Sequence, residues 1–471
     1  MTRRDLLFQA GSGFGGIALS GLMAEDRGLA ATAGEAADPM RVRAPHFAAK
    51  AKSVIFLFMD GGVSHVDTFD PKPKLSAMDG KPLPFDDDKV NARNDVKILW
   101  GSPFEFTKRG QCGAEVSSLF PHLGGCADDM TIVRSMYADQ TEHTAGNYQM
   151  HSGFAIQGRP SMGAWIAYGL GSSGKNLPGF VVIDTGMIPP GGQDLFGAGF
   201  LPASYQGMLF RKGNHPVADI APREPSPALQ RNKIDFIRKL DQGVTRRYGP
   251  VSEIEAAIFN YELAFRMQSE VPDLLDFGRE SKSTLDLYGV GQPDTDEFGR
   301  ACLVARRMVE RGVRFIELLS PRRPGADRWD QHGALVKGHG MNCKATDQPI
   351  AALIRDLKSR GMLDETLLVW GGEFGRTPTR QGSEDRGWGR DHHPFGFTMW
   401  MAGGGVKGGY VHGATDEFGY FATEKKVHVH DLHATILHLL GLDHKRLTYP
   451  FGGRQMRLTD VHGNVVRELL A

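Results

Sequence analysis

Buried-strand patterning constrains this chain more than any other feature. Three continuous apolar runs end at glycine or an acidic residue. They are Val54-Ile55-Phe56-Leu57-Phe58-Met59 before Asp60-Gly61-Gly62, Phe180-Val181-Val182-Ile183 before Asp184, and Leu367-Leu368-Val369-Trp370 before Gly371-Gly372. A fourth, Val313 to Leu319, is broken only by Arg314 and Glu317. A short run with no polar alternation is a strand covered on both faces. Amphipathic spacing over Phe298–Glu310 and Ile350–Arg360 predicts a helix ahead of each of the last two strands in the chain. Helix, turn and buried strand in succession predict an α/β fold, with a mainly parallel central sheet and helices on both faces. In such sheets ligands bind beyond the carboxyl ends of the strands.

Composition narrows the function. The chain has 471 residues and balances 55 Lys+Arg against 55 Asp+Glu, which argues against a basic nucleic-acid binder and against a polyacidic tail protein. No stretch reaches the apolar length of a membrane span. Glycine, at 60 residues, is close to twice its typical usage of roughly 7%, as expected of many strand-to-loop turns. Arg3-Arg4 precedes a weakly apolar Gly/Ala-rich stretch and Ala31-Thr32-Ala33, the pattern of a twin-arginine signal peptide over residues 1–33. Its partner would be the twin-arginine export machinery, and its destination the periplasm or cell envelope. That segment holds three arginines and three acidic residues, so the remainder stays neutral. Export permits disulfides among Cys112, Cys126, Cys302 and Cys343; Cys112 and Cys126 are close enough in sequence to pair, and four free thiols are the alternative.

The rest reads as one domain over residues 48–465. A Gly/Pro-rich stretch and helical patterns at Leu229–Gln242 and Ser252–Met267 form a helical and loop insertion over about residues 185–295. Residues 79–110 read as an irregular polar excursion.

Five clusters of titratable residues stand at or just after predicted strand ends. They are Asp60 with His65 and Asp67; Glu142-His143-Thr144; Trp329-Asp330-Gln331-His332; Glu373 with Arg376; and Arg390-Asp391-His392-His393. Carboxylates and imidazoles drawn from several strand ends are what a divalent-metal site needs, with zinc, manganese or a similar ion suited to the donors. Asp431 reads as the N-cap of a closing helix, and His433 and His438 as packing or surface residues within it.

The order of these clusters resembles the alkaline phosphatase and sulfatase superfamily, as do His393 to Gly405, Gly413 to Asp416 and Val429 to Leu442. The phrases Gly61-Gly-Val-Ser-His-Val-Asp-Thr-Phe-Asp-Pro-Lys-Pro73, Tyr261 to Gln268 and Ala305 to Val313 resemble, within that clan, the exported domain of unknown function 1501 family. The resemblance implies an alkaline-phosphatase-like fold and one or two divalent ions. By position, Asp60 and Glu373 would serve one metal; Asp330, His332 and His393 or His392 would serve the other. His65 and Asp67 are rival first-strand ligands. Phe374 stands where the superfamily has a second nitrogen ligand, and no Cys-x-Pro-x-Arg supports formylglycine chemistry. His143 falls at the nucleophile's position, where it is either the nucleophile or the ligand replacing the missing nitrogen, with Thr144 able to supply a hydroxyl. Arg376 is either an anion clamp or one half of a salt bridge. The implied activity is metal-dependent hydrolysis of phosphate or sulfate esters, on a small-molecule or polysaccharide substrate. The alternative is a catalytically silent envelope binding protein.

Overall fold

The computed structural model describes residues 38–85, 97–213, 216, 217, 220, 224–248, 252–326 and 328–471. The chain separates into Met1–Pro39 and Met40–Ala471, and the architecture below is that of the second unit. The export signal lies outside the described residues, as does most of the acidic run within the 79–110 excursion.

A nine-stranded mixed sheet organises this unit. Its strands are β1 (Ser53–Phe58), β2 (Met130–Tyr137), β3 (Phe180–Ile183), β4 (Met208–Phe210), β5 (Phe315–Leu319), β6 (Thr366–Gly371), β7 (Phe397–Ala402), β8 (Tyr410–His412) and β9 (Val427–His428). They lie in the order β8-β2-β7-β6-β1-β5-β3-β4, with β9 also paired to β2. The four runs expected to be buried strands are therefore adjacent, as β6-β1-β5-β3, and every pairing among them is parallel. Only β7 runs against its neighbours. The loop predicted after Ile183 contains β4, which extends the parallel edge.

Side-chain alternation divides the core into two layers. Ile55 and Leu57 of β1, Ile316 and Leu318 of β5, and Leu368 and Trp370 of β6 face one layer. It is closed by α5 (Asp296–Glu310) and α6 (Leu335–Ser359). Val54, Phe56, Phe315, Leu367 and Val369 face the other, closed by α2 (Met162–Leu170) and α7 (Val429–Leu439). Two further helices, α3 (Pro227–Tyr248) and α4 (Ser252–Leu275), make the insertion. The helix expected from Ile350 starts fifteen residues earlier, at Leu335, because His339, Asn342, Thr346 and other polar side chains are buried beneath the cleft and hide the amphipathic period. The excursion carries one regular piece, Phe106–Arg109 paired with Ala114–Ser117. All four cysteines are free thiols, Cys112 exposed and the others buried, so the suggested 112–126 bridge is absent.

Candidate metal centre

Strand direction explains why distant residues meet. β1, β5 and β6 are parallel, so Asp60, the Trp329-Asp330 segment and Glu373 all follow strand ends on one edge. β2 runs the same way and leads into α1 (His143–Ser152), which carries His143 at its first turn. β7 is reversed, so its amino-terminal end reaches that edge, and His392 arrives from the ribbon just before it. Gly61 permits the close approach: its φ is +110°, and a Cβ there would come 2.7 Å from the Trp329 nitrogen and 2.8 Å from that of Asp330.

Asp330 sits at the centre. Its Oδ1 is 2.9 Å from His332 Nε2 and 3.1 Å from His392 Nε2, and its Oδ2 is 3.1 Å from His143 Nε2. His332 Nε2 and His392 Nε2 are 3.0 Å apart. One donor atom from each of the four residues lies within 4.8 Å of all the others. The far side of each ring is engaged. His143 Nδ1 faces Glu373 Oε1 at 2.6 Å, His332 Nδ1 faces Gln381 Oε1 at 2.5 Å, and His392 Nδ1 faces the Thr141 carbonyl at 2.9 Å. All three partners are acceptors, which assigns the protons to Nδ1 and turns the Nε2 lone pairs inward.

This is the second-sphere arrangement that orients metal-binding imidazoles. Lone pairs converging on a carboxylate repel unless a cation lies among them. The polypeptide alone meets this with protons. Burial would lower the His143 pKa, but the facing carboxylates of Asp330 and Glu373 outweigh it and hold the ring up to about 9. Burial would likewise raise Asp330, but the three histidines and Arg376 hold its carboxyl far below the ordinary range. His143 Nε2 is buried and meets Asp330 Oδ2 at 3.1 Å as an ion pair, without the geometry of a directed hydrogen bond. Three imidazole nitrogens and one carboxylate turned towards a common point fit a divalent ion of the zinc class.

The remaining expected residues are placed differently. Glu373 is not among the four donors; it stands behind His143 and also accepts the Gly61 N–H at 2.9 and 3.1 Å. Asp60 lies beside that pair and is ion-paired to Arg328. Burial raises the Asp60 pKa to about 7 against the opposing pull of Arg328, and its Oδ1 has no partner. Arg376 is not a clamp open to substrate. It is fully buried, donating to the Gly61, Gly62 and Arg390 carbonyls and to Asp330 Oδ1 at 2.6 Å. His393 leaves the site because neighbouring residues of the His392–His393 strand project to opposite faces; its Nε2 meets the Tyr420 carbonyl. His65 Nε2 is bonded to the Gly419 carbonyl at 2.7 Å, and Asp67 forms a buried ion pair with Arg390 at 2.7 and 3.1 Å. Thr144 gives its N–H, as Ala145 does, to the Glu142 carboxylate that caps α1. Asp431 is at N3 of α7, returning a bond to the cap residue His428.

The sequence reading gave Arg328 and Gln381 no role. Arg328 is readable only from its +47° φ and its partner across the turn, and Gln381 only from the β-ribbon that carries it beneath His332. Phe374 walls the cluster, its ring 5.1 Å from that of His143 and 4.8 Å from that of His392.

Fold and site together define an α/β protein with a three-histidine, one-aspartate cluster at the carboxyl edge of a mixed sheet. The chain belongs to the DUF1501 family, described as proteins of unknown function, whose model matches residues 51–470. No curated protein matches it by sequence. Among solved structures it is similar to the lipoteichoic acid synthase LtaP from Listeria monocytogenes, with 11% identity, 90% of this chain and 79% of that chain covered, and a TM-score of 0.35. It is also similar to the alkaline phosphatase from the Antarctic bacterium TAB5, with 10% identity, 84% and 99% covered, and a TM-score of 0.33. A third is the PsFucS1 sulfatase from Pseudoalteromonas sp., with 13% identity, 85% and 68% covered, and a TM-score of 0.34.

Proposed function

We propose that this protein is a metal-dependent hydrolase of phosphate or sulfate esters, built on one ion held by His143, His332, His392 and Asp330. The observation that carries the reading is the orientation of the three imidazoles, each fixed at Nδ1 with Nε2 aimed at Asp330. The ion, when bound, would supply Lewis-acid polarisation of an ester oxygen. The chain's own residues position and move protons around it. Glu373 holds the His143 ring from behind, and Arg376 fixes the Asp330 carboxylate. Asp60, poised near neutral pH with Oδ1 unpartnered, takes up or gives back a proton at that oxygen during turnover. Arg328, pairing with Asp60 and the Ile188 carbonyl, places positive charge beside the cluster to meet an ester anion.

In this account His143 is a ligand and not a nucleophile, since its Nε2 lone pair belongs to the ion. The second reading, a metal-bearing binding protein without turnover, draws on Arg376: the group sought as an anion clamp is buried and directed to backbone carbonyls and Asp330. Export through the twin-arginine route would place either activity in the periplasm or envelope. Replacing Arg3 and Arg4 by lysine tests that, by retaining the precursor in the cytoplasm. Metal analysis of the purified chain with a screen of model phosphate and sulfate esters decides between the two functions. Bound metal with turnover that vanishes in Asp330→Asn is the expected result; bound metal with no hydrolysis of any ester overturns the hydrolase.

A further inference from the structure

We infer that α3 is an interfacial helix that docks the protein onto an anionic lipid surface. Large apolar side chains are exposed at Leu229, Phe236, Leu240 and Val244, spaced seven, four and four residues apart, which places them on one helical face. Phe236 is 61% exposed. Four of the ten large exposed hydrophobic residues among those described lie on this single stripe, whereas scattered single ones are ordinary.

The opposite face holds α3 to the body through a largely polar contact. Arg231 donates to Glu262 of α4 at 2.9 and 2.6 Å and lies 5.4 Å from the Phe265 ring, with Ile234 half-buried on the same side of the helix. The apolar stripe is therefore not the attachment face. Charge identifies its occupant. The helix contains six basic residues against two acidic ones, in a chain whose formal charge is zero. Lys233, Arg238 and Lys239 are exposed along it, Lys233 reaching Glu224. With Phe and Leu on one face, Lys233 among them and Lys239 beside them, the helix is matched to the boundary between acyl chains and anionic headgroups. A second copy of this chain would bring the same positive charge against itself. No helix among the described residues is long and apolar enough to cross a membrane, so this contact would be peripheral.

The test is co-sedimentation of the full chain with vesicles of phosphatidylcholine containing about one-third phosphatidylglycerol, compared with phosphatidylcholine alone. The expected result is binding to the anionic vesicles only, weakening as salt rises and the charges are screened. Phe236→Glu/Leu240→Glu should lower the bound fraction by at least ~tenfold at an unchanged melting temperature, because both side chains are exposed. Both proteins carry the same amino-terminal segment, so the difference reports α3 alone. Equal binding of wild type and variant, or a wild type that stays in the supernatant, overturns the inference. A dimer in sedimentation velocity that the same variant dissociates also overturns it, and assigns the stripe to a second copy. None of these readouts depends on metal or ester hydrolysis.

Discussion

Two histidine-rich regions can be compared, and they use the ring nitrogens in opposite ways. At the cleft, His143, His332 and His392 each engage Nδ1 and turn Nε2 towards one carboxylate. In the tail, Nε2 is the atom that reaches other elements: His430 meets the Gly153 carbonyl and His433 the Met150 carbonyl, both at 2.7 Å, and His428 faces Asp139 at 3.0 Å while its Nδ1 caps α7. The tail histidines tie α7 to α1 and to the loop after β2, each with its own acceptor. The cleft histidines share one. Histidine density alone does not distinguish a site from a staple; the direction of the free lone pair does.

The adjacent residues His392 and His393 should differ most when each is removed. His392→Ala should reduce metal affinity by more than ~100-fold, since loss of an orienting partner alone typically costs 10–100-fold. His393→Ala should leave metal affinity unchanged and lower the melting temperature, because it empties a buried position. Calorimetric titration of zinc into the metal-depleted variants checks both. Similar metal loss in the two would return His393 to the site.

Glu373→Gln comes next. It keeps the shape behind His143 but removes the charge, and about 10–100-fold weaker metal binding is expected in the same titration. Unchanged affinity would mean that the His143 ring is positioned without it.

Opposite pKa shifts sharpen the contrast. Burial lowers the His433 pKa to about 3, with the His430 charge adding to the effect. Its folded value lies below the unfolded value of about 6.5, so the unfolded chain binds the proton first. Stability from this residue is complete above about pH 6.5 and is lost as the pH falls towards 3, at up to about 1.4 kcal/mol per pH unit. His433→Asn should therefore flatten the acid limb of a denaturant-stability profile, whatever its effect at neutral pH. An acid limb as steep as that of the wild type would remove His433 from the account.

Thr144→Val is the smallest expected change. Valine keeps the N–H that Thr144 gives to Glu142, and the residue is outside the donor set, so metal affinity should be unaltered and stability should shift by about 0.5 kcal/mol. Loss of ester turnover with metal retained would instead bring the hydroxyl into the reaction.

The central strands were legible because burial on both faces removes polar alternation, leaving β1, β3 and β6 as plain apolar runs and β5 broken only at Glu317, whose charge is met by His151. β2 was not, since Thr131, Arg134 and Ser135 interrupt it; Thr131 and Ser135 are buried through bonds to the Lys407 and Lys425 carbonyls, which no local pattern announces. The acidic and histidine clusters were visible from their places after strand ends. Their division of labour was not. Choosing His392 over His393 requires the face that a two-residue ribbon presents. Moving Glu373 behind His143 requires knowing that Gly61 lies against its oxygens. Arg376 followed the site carboxylate in sequence as an anion clamp would, yet burial made it the pin of Asp330. The signal peptide reading remains a sequence expectation, outside the described residues.

X-ray absorption spectroscopy at the metal edge of the purified protein reads the ligand shell of the ion itself. The account predicts about one ion per chain, with three imidazole nitrogens and carboxylate oxygen at roughly 2.0–2.2 Å, and loss of one imidazole from the shell when His143 becomes Ala. An ion whose shell is unchanged by His143→Ala, or a fully folded protein that binds no divalent ion, would contradict it.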